Sequence, residues 1–108
     1  MSDVGAVLVA LADPTRRAIL ERVRERPRSV NDIAKTVTVT RSAVSQHLRV
    51  LQDAGLLRSQ RRGRENFYGL ELRGLVALRS YVESFWTDVL GAFQAAAVAE
   101  AKAQKGKH

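Results

Sequence analysis

The chain contains no cysteine. That excludes a disulfide framework and any thiolate site, nucleophilic or metal-binding, and nothing points to an oxidising compartment. No apolar run approaches the roughly 18 residues that would suggest a membrane span. The N-terminus has no basic segment leading into an apolar stretch and a cleavage site, so no secretory leader is expected. Histidine occurs only as His47 and His108. No histidine pair, phosphate-cradling glycine loop or Ser-His-Asp set can be assembled, so the chain is expected not to be an enzyme and to need no cofactor. Internal repeats and a low-complexity core are also missing. The hydrophobic fraction of 45% and charged fraction of 27% fit a soluble globular protein, and a cytoplasmic location is expected. With 108 residues, one domain with one modest core is expected.

Positive charge is plentiful, and its placement is more informative than the net +7. Residues 1–40 are nearly balanced, and residues 65–108 carry equal numbers of each sign. Between Arg41 and Arg64 there are six arginines against one acid, Asp53. A solvated surface usually mixes the signs, whereas a polyanion-binding face concentrates one of them. A solubility patch is the plainer reading of the same charge.

Periodicity divides the chain mainly into helices. "VGAVLVALA" (4–12) reads as a buried helix. Asp13-Pro14 starts a second, because Asp can cap free N–H groups and proline suits the first turn. Its inward residues are Ile19, Leu20 and Val23, and Pro27 ends it. Arg16, Arg17, Arg22, Arg24, Arg26 and Arg28 are interleaved with Glu and read mainly as solvated surface. Ser29-Val30-Asn31-Asp32 has the shape of a capping box. It opens a short helix with Val30, Ile33, Ala34 and Val37 inward. A tight connection through Thr38–Thr40 leads to a helix from Arg41 to about Ala54, with Thr40 as N-cap and Gly55 as a left-handed C-cap. This is a helix-turn-helix. "LLRSQRRGRENFYGL" (56–70) predicts a basic β-hairpin, a wing, turning around Arg62-Gly63-Arg64.

From about Leu72 the spacing predicts a last helix. Leu75, Leu78, Val82, Phe85 and Val89 recur as a heptad-like seam, widened by Trp86. The stretch 72–95 reads as a dimerisation helix, with core packing as the competing reading. Residues 96–108 are expected to be a frayed tail. The fold class is therefore mainly α with a small β-hairpin, a winged helix-turn-helix whose terminal helices form a dimer interface.

The polar side of the helix from Arg41 is the sharpest feature. At about 100° per residue, Val44, Leu48 and Leu51 share one side, and Ser42, Ser45, Gln46 and Arg49 the other. Arg can donate two hydrogen bonds to guanine, Gln can pair with adenine, and Ser can donate or accept. Thr40 and Arg41 sit where free N–H groups and the positive dipole end favour phosphate. A solvated helix face is the alternative, although Glu and Lys are more usual there. His47 lies on the flank, where a histidine packed at the core edge and a base contact are both open. Arg61, Arg62 and Arg64 at the wing tip suit phosphates or a minor groove.

In this order of elements, "LADPTRRAIL" (11–20), "VNDIAKTVTVTRSAVSQHLRVLQDAGLL" (30–57) and "RRGRENFYGL" (61–70) resemble the ArsR/SmtB family of winged-helix repressors. The resemblance covers roughly Leu8 to Phe93. It implies a homodimeric repressor that binds operator DNA, often that of its own gene. It puts Thr40, Arg41, Ser42, Ser45, Gln46 and His47 at the DNA, with the wing arginines beside them. Metal-sensing members resembling this chain carry "CVCD" or "CVGD" where "SVND" (29–32) stands here. Others use histidine and acids on the terminal helix, where this chain has only Glu83 and Asp88. Neither site can be assembled in its known form. The implied protein is a repressor of double-stranded operator DNA, read at an inverted repeat and not governed by those metal sites. The competing class is a protein-interaction or architectural DNA-binding module that uses the terminal seam. An inducer is not specified by any residue.

Overall fold

Two helices meet at Asp13 in the computed structural model, which describes residues 3–105. Helix α1 (Val4–Ala12) ends there and α2 (Pro14–Glu25) begins. The Asp13 carboxylate accepts from the Arg16 backbone N–H at 2.9 Å, satisfying one of the donors a helix start leaves free. Arg16 and Arg17 then reach back over the end of α1. Arg16 Nε donates to Ala10 O at 2.7 Å and its Nη2 to Val9 O at 3.0 Å. Arg17 Nη1 donates to Leu11 O at 2.8 Å and Ala12 O at 3.1 Å. These two arginines are not merely a solvated surface, because they satisfy the last carbonyls of α1.

Arg28 departs further from expectation. It lies in a two-residue strand, β1 (Arg28–Ser29), and only 5% of it is exposed. Its guanidinium pairs with Glu25 at 2.9 Å and Asp32 at 3.2 Å. Desolvating a guanidinium demands such partners. Asp32 is thereby engaged by Arg28, while the Ser29 Oγ accepts from the Asp32 N–H at 3.2 Å.

Helix α3 (Val30–Ala34) is a turn shorter than its inward pattern suggested. The N–H groups of Lys35 and Thr36 tighten onto Asn31 O and Ile33 O, and the Thr36 hydroxyl donates to Ile33 O at 2.7 Å. That local competition for carbonyls is how threonine ends a helix. Val37, expected on the helix, packs against the core from the connecting turn. Helix α4 (Arg41–Asp53) follows, with the Thr40 Oγ1 accepting from the Ala43 N–H at 3.1 Å. It closes in a Schellman arrangement. Gly55 has φ +76°, its N–H donates to Gln52 O at 2.9 Å, and the Leu56 N–H donates to Leu51 O at 2.9 Å.

The wing consists of β2 (Leu57–Arg62) and β3 (Glu65–Leu70), paired antiparallel from Leu57↔Leu70 to Arg62↔Glu65. Two residues, Gly63 and Arg64, make the turn, and only Gly63 has positive φ. That combination fits a type II′ hairpin turn. The sequence reading missed β1, which joins the other edge of β3 to give the order β1-β3-β2. The sheet therefore has three strands.

The core gathers Val7 and Ala10, Ile19, Leu20 and Val23, Ile33, then Val44, Leu48 and Leu51, closed by Leu56 and Leu57. Each fully buried aliphatic contributes about 1.5–3 kcal/mol. This layer lies in a unit that ends at Leu78; a second unit begins at Arg79. Helix α5 is Leu72–Lys105, continuing past the expected end near residue 95. Residues 106–108 of the expected tail, with His108, lie outside the described residues. Among the described residues no helix is long and apolar enough to cross a membrane.

Candidate nucleic-acid interface

Three buried aliphatics orient α4. Val44, Leu48 and Leu51 are almost fully enclosed, so the opposite side of the helix must face outward. Arg41, Ser42, Ser45, Gln46 and Arg49 are all exposed there. Thr40 is exposed as well, with one lone pair of its hydroxyl committed to the cap. Gln52 marks the limit of the free face, since its Nε2 donates to Ser59 Oγ at 3.2 Å and ties α4 to β2.

His47 stands apart from this group. It is half-buried, and its Nδ1 lies 3.3 Å from Nη1 of Arg16. Arg16 thus links the end of α1 to the flank of α4. Arg16 and His47 also act on Asp13. Its carboxyl is held below the usual carboxylate range first by the Arg16 backbone N–H and then by the charges of Arg16 and His47.

The wing arginines do not form one cluster. Side chains alternate across a strand, so Arg61 and Arg62 leave opposite faces of the sheet. Arg62 lies over the Phe67 ring at 5.0 Å from its centroid, on the face that also carries Arg58 and Gln60. Arg61 donates from Nε to Gly63 O at 3.3 Å. Arg64 instead meets Arg41 and Ser45 around a cleft of about 290 Å³ between α3, α4 and the hairpin turn. The structure therefore brings Arg41, Ser45 and Arg64 together and turns Arg62 away.

Sequence reasoning did not single out Arg58, Asn31 or Asn66. Arg58 was visible only as one of six arginines in the basic segment. Asn31 and Asn66 join the cleft through the fold, and no local pattern marks either.

The six seam residues of α5 divide. Leu75 and Leu78 are half-buried and pack against the core of the first unit. Val82, Phe85, Trp86 and Val89 are exposed, Phe85 by 55% and Trp86 by 58%. Tyr81 and Phe85 meet edge to face at 5.1 Å on the same helix.

The positions where the family's metal sensors carry ligands hold other chemistry. Ser29 caps α3 through its hydroxyl, and Asp32 is paired with Arg28. On α5, Glu83 accepts from Arg79 Nε at 2.8 Å. Among the described residues no three His, Cys, Asp or Glu side chains converge. An alcohol and paired carboxylates do not fit a thiolate or imidazole site.

A helix-turn-helix, a basic hairpin beside it and a free polar helix face define a winged helix-turn-helix DNA-binding protein. A sequence profile described as a helix-turn-helix domain matches residues 11–60. The HTH-type transcriptional regulator Rv2034 of Mycobacterium tuberculosis is 47% identical over 81 residues, 75% of this chain and 76% of that protein. The HTH-type transcriptional repressor SmtB of Mycobacterium tuberculosis is 42% identical over 66 residues, 61% of this chain and 49% of that protein. Among solved structures, an ArsR family transcriptional regulator has a TM-score of 0.73 at 27% identity, covering 81% of this chain and 94% of its own. The homodimeric winged helix-turn-helix DNA-binding domain Mb0332 from Mycobacterium bovis has a TM-score of 0.63 at 26% identity, covering 79% of each chain. This chain belongs to the ArsR/SmtB family of helix-turn-helix transcriptional regulators. It is a regulator of transcription and not an enzyme.

Proposed function

We propose that the protein is a homodimeric repressor of double-stranded operator DNA, acting in the cytoplasm and often on its own gene, that works without the family's metal sites. The observation that carries this reading is the free side of α4. Ser42, Ser45, Gln46 and Arg49 are exposed opposite a fully buried aliphatic stripe, and Arg41 and Arg64 add charge beside them. Each α4 enters a major groove, Gln46 and Arg49 read base edges, and Thr40, Arg41 and Arg64 hold phosphates, with Arg61 beside them at the wing tip. His47 supports the helix from its flank through Arg16. Two copies joined along Val82, Phe85, Trp86 and Val89 read half-sites about one helical turn apart, so the operator is an inverted repeat.

Support for metal independence is chemical, because serine and paired carboxylates stand where thiolates and imidazoles would be needed. Support for homodimerisation is the exposed apolar row on α5 and the homodimeric state stated for the Mycobacterium bovis domain.

The test is footprinting of the DNA upstream of the gene, followed by affinity measurements with an Arg41→Ala/Gln46→Ala/Arg49→Ala variant. Each lost base or phosphate contact costs about 1–3 kcal/mol, so the triple variant is expected to bind at least a hundredfold more weakly. Unchanged operator affinity would refute the site. Zinc or a chelator is expected to leave operator affinity unchanged, and a clear metal response in the same titration would refute metal independence.

A further inference from the structure

The cleft between α3, α4 and the hairpin turn contains more than the expected contacts. Asn31 from α3 and Asn66 from β3 line it with Arg41, Ser45 and Arg64, and Glu65 is its one acid. All six side chains are exposed. Among the described residues none of Arg41, Arg64 and Glu65 takes part in a salt bridge. Two guanidiniums therefore face shared space without an internal counter-charge in contact. Three short polar side chains surround that space with donors. Two cations against one carboxylate favour an anion over a metal ion. Amide, hydroxyl and guanidinium donors are the groups that take phosphate oxygens.

We propose that this cleft holds a DNA backbone phosphate, with Asn31 and Asn66 as positioning contacts that set the register of α4 in the groove. The proposal rests on the DNA-binding reading of α4 and adds residues from outside that helix. DNA is the favoured source of the phosphate because the cleft adjoins the free face of α4 and shares Arg41 and Ser45 with it. Asn31 comes from the first helix of the helix-turn-helix and Asn66 from the wing. A phosphate held between them is gripped by three elements at once, which fixes orientation without reading sequence. Glu65 faces the same space and opposes the phosphate.

The probe is the tightest duplex selected from a randomised library, together with its scrambled counterpart. Four variants are compared with wild type: Asn31→Ala/Asn66→Ala, Glu65→Gln, Glu21→Gln and Gln46→Ala/Arg49→Ala. Glu21 is an exposed acid on α2 that changes net charge by the same amount. The asparagine pair is expected to weaken binding about tenfold on both duplexes, without altering the salt slope, since no charge is removed. Glu65→Gln is expected to tighten binding by more than Glu21→Gln. Gln46→Ala/Arg49→Ala is expected to reduce preference for the selected duplex.

Wild-type affinity in the asparagine variant, with an unchanged melting temperature, would overturn the proposal. So would equal effects of the two Glu→Gln changes, or an asparagine effect confined to the selected duplex, which would mean base reading. Inorganic phosphate is titrated at constant ionic strength as the other source of the anion. If it bound wild type and not the asparagine variant while leaving DNA affinity unchanged, the cleft would be a free-anion site and the assignment to DNA would fall. If Gln46→Ala/Arg49→Ala kept full affinity and preference, the reading of α4 itself would fail and the cleft proposal with it.

Discussion

Asp13 stands between two helices, and its charge matters to the second. It sits at the end of α1, and its carboxylate caps α2, held below the ordinary carboxylate range by the Arg16 N–H and by the charges of Arg16 and His47. A depressed folded-state value means the stabilisation is present above the unfolded value. It is lost as pH falls through the folded one. An Asp13→Ala variant is therefore expected to melt below wild type near neutrality, with the gap closing below about pH 4. Thermal melts of both proteins across pH check this, and a gap that persists into acid would show that the charge is not the source. Gly74 makes a different demand. Its N–H donates to Gly55 O at 2.8 Å, joining the start of α5 to the end of α4. An added Cβ would lie 2.7 Å from Ala54 O, and that backbone is already pinned by the Schellman bonds. The clash costs about 1–3 kcal/mol, more than the roughly 1 kcal/mol that alanine contributes to a helix. Gly74→Ala is expected to lower Tm. Gly91→Ala, where the methyl meets nothing within 4 Å, is expected to raise it.

At the scale of elements, the recognition helix is set by its ends as much as by its stripe. Thr40 caps α4 in the turn that carries Arg41 and Ser42. Thr40→Ala removes an acceptor from that turn and is expected to cost about 1 kcal/mol and weaken DNA binding. Thr40→Ser keeps the oxygen and should recover stability, measured by urea denaturation. Stability restored without DNA affinity would show that the threonine methyl itself meets the DNA. This helix was legible in the sequence because cap, aliphatic spacing and Gly55 agree on its bounds. The hairpin was legible as well, since Gly63 falls between an aliphatic end and an aromatic one. The two-residue strand β1 was not, because pairing with Tyr68 and Phe67 is its only defining feature and lies far along the chain. The roles of Arg16, Arg17 and Arg28 were hidden as well. Interleaved Arg and Glu look solvated until the fold turns a guanidinium onto a helix end or into a buried pair. The short α3 was misread because periodicity counted Val37, while the Thr36 hydroxyl decided where the helix stops. The cleft is invisible to any local pattern, since Asn31, Arg41 and Asn66 come from three separate elements.

For the whole molecule, the proposed dimer is what makes modest contacts sufficient. One α4 offers a few polar side chains, and a single module of this size gives limited affinity and little discrimination. Linking two copies makes the second half-site an intramolecular event, which can raise affinity by about 10²–10⁴ without a new contact. The row on α5 has the chemistry for that link. Val82, Phe85, Trp86 and Val89 recur at helical spacing, and all four are exposed in the single chain. A contiguous apolar patch of this kind marks an association surface on soluble proteins. Phe85→Glu/Trp86→Glu is expected to sediment as a monomer and to lose the concentration dependence of its melting temperature. Its affinity for an intact inverted repeat is expected to drop by about 10²–10⁴, to that of an isolated half-site. The Arg41→Ala/Gln46→Ala/Arg49→Ala variant should do the reverse, losing DNA while remaining dimeric. A Phe85→Glu/Trp86→Glu protein that stayed dimeric would move the interface elsewhere. One that became monomeric yet bound the repeat as tightly as wild type would show that avidity contributes nothing, and that each α4 and wing together supply the full affinity.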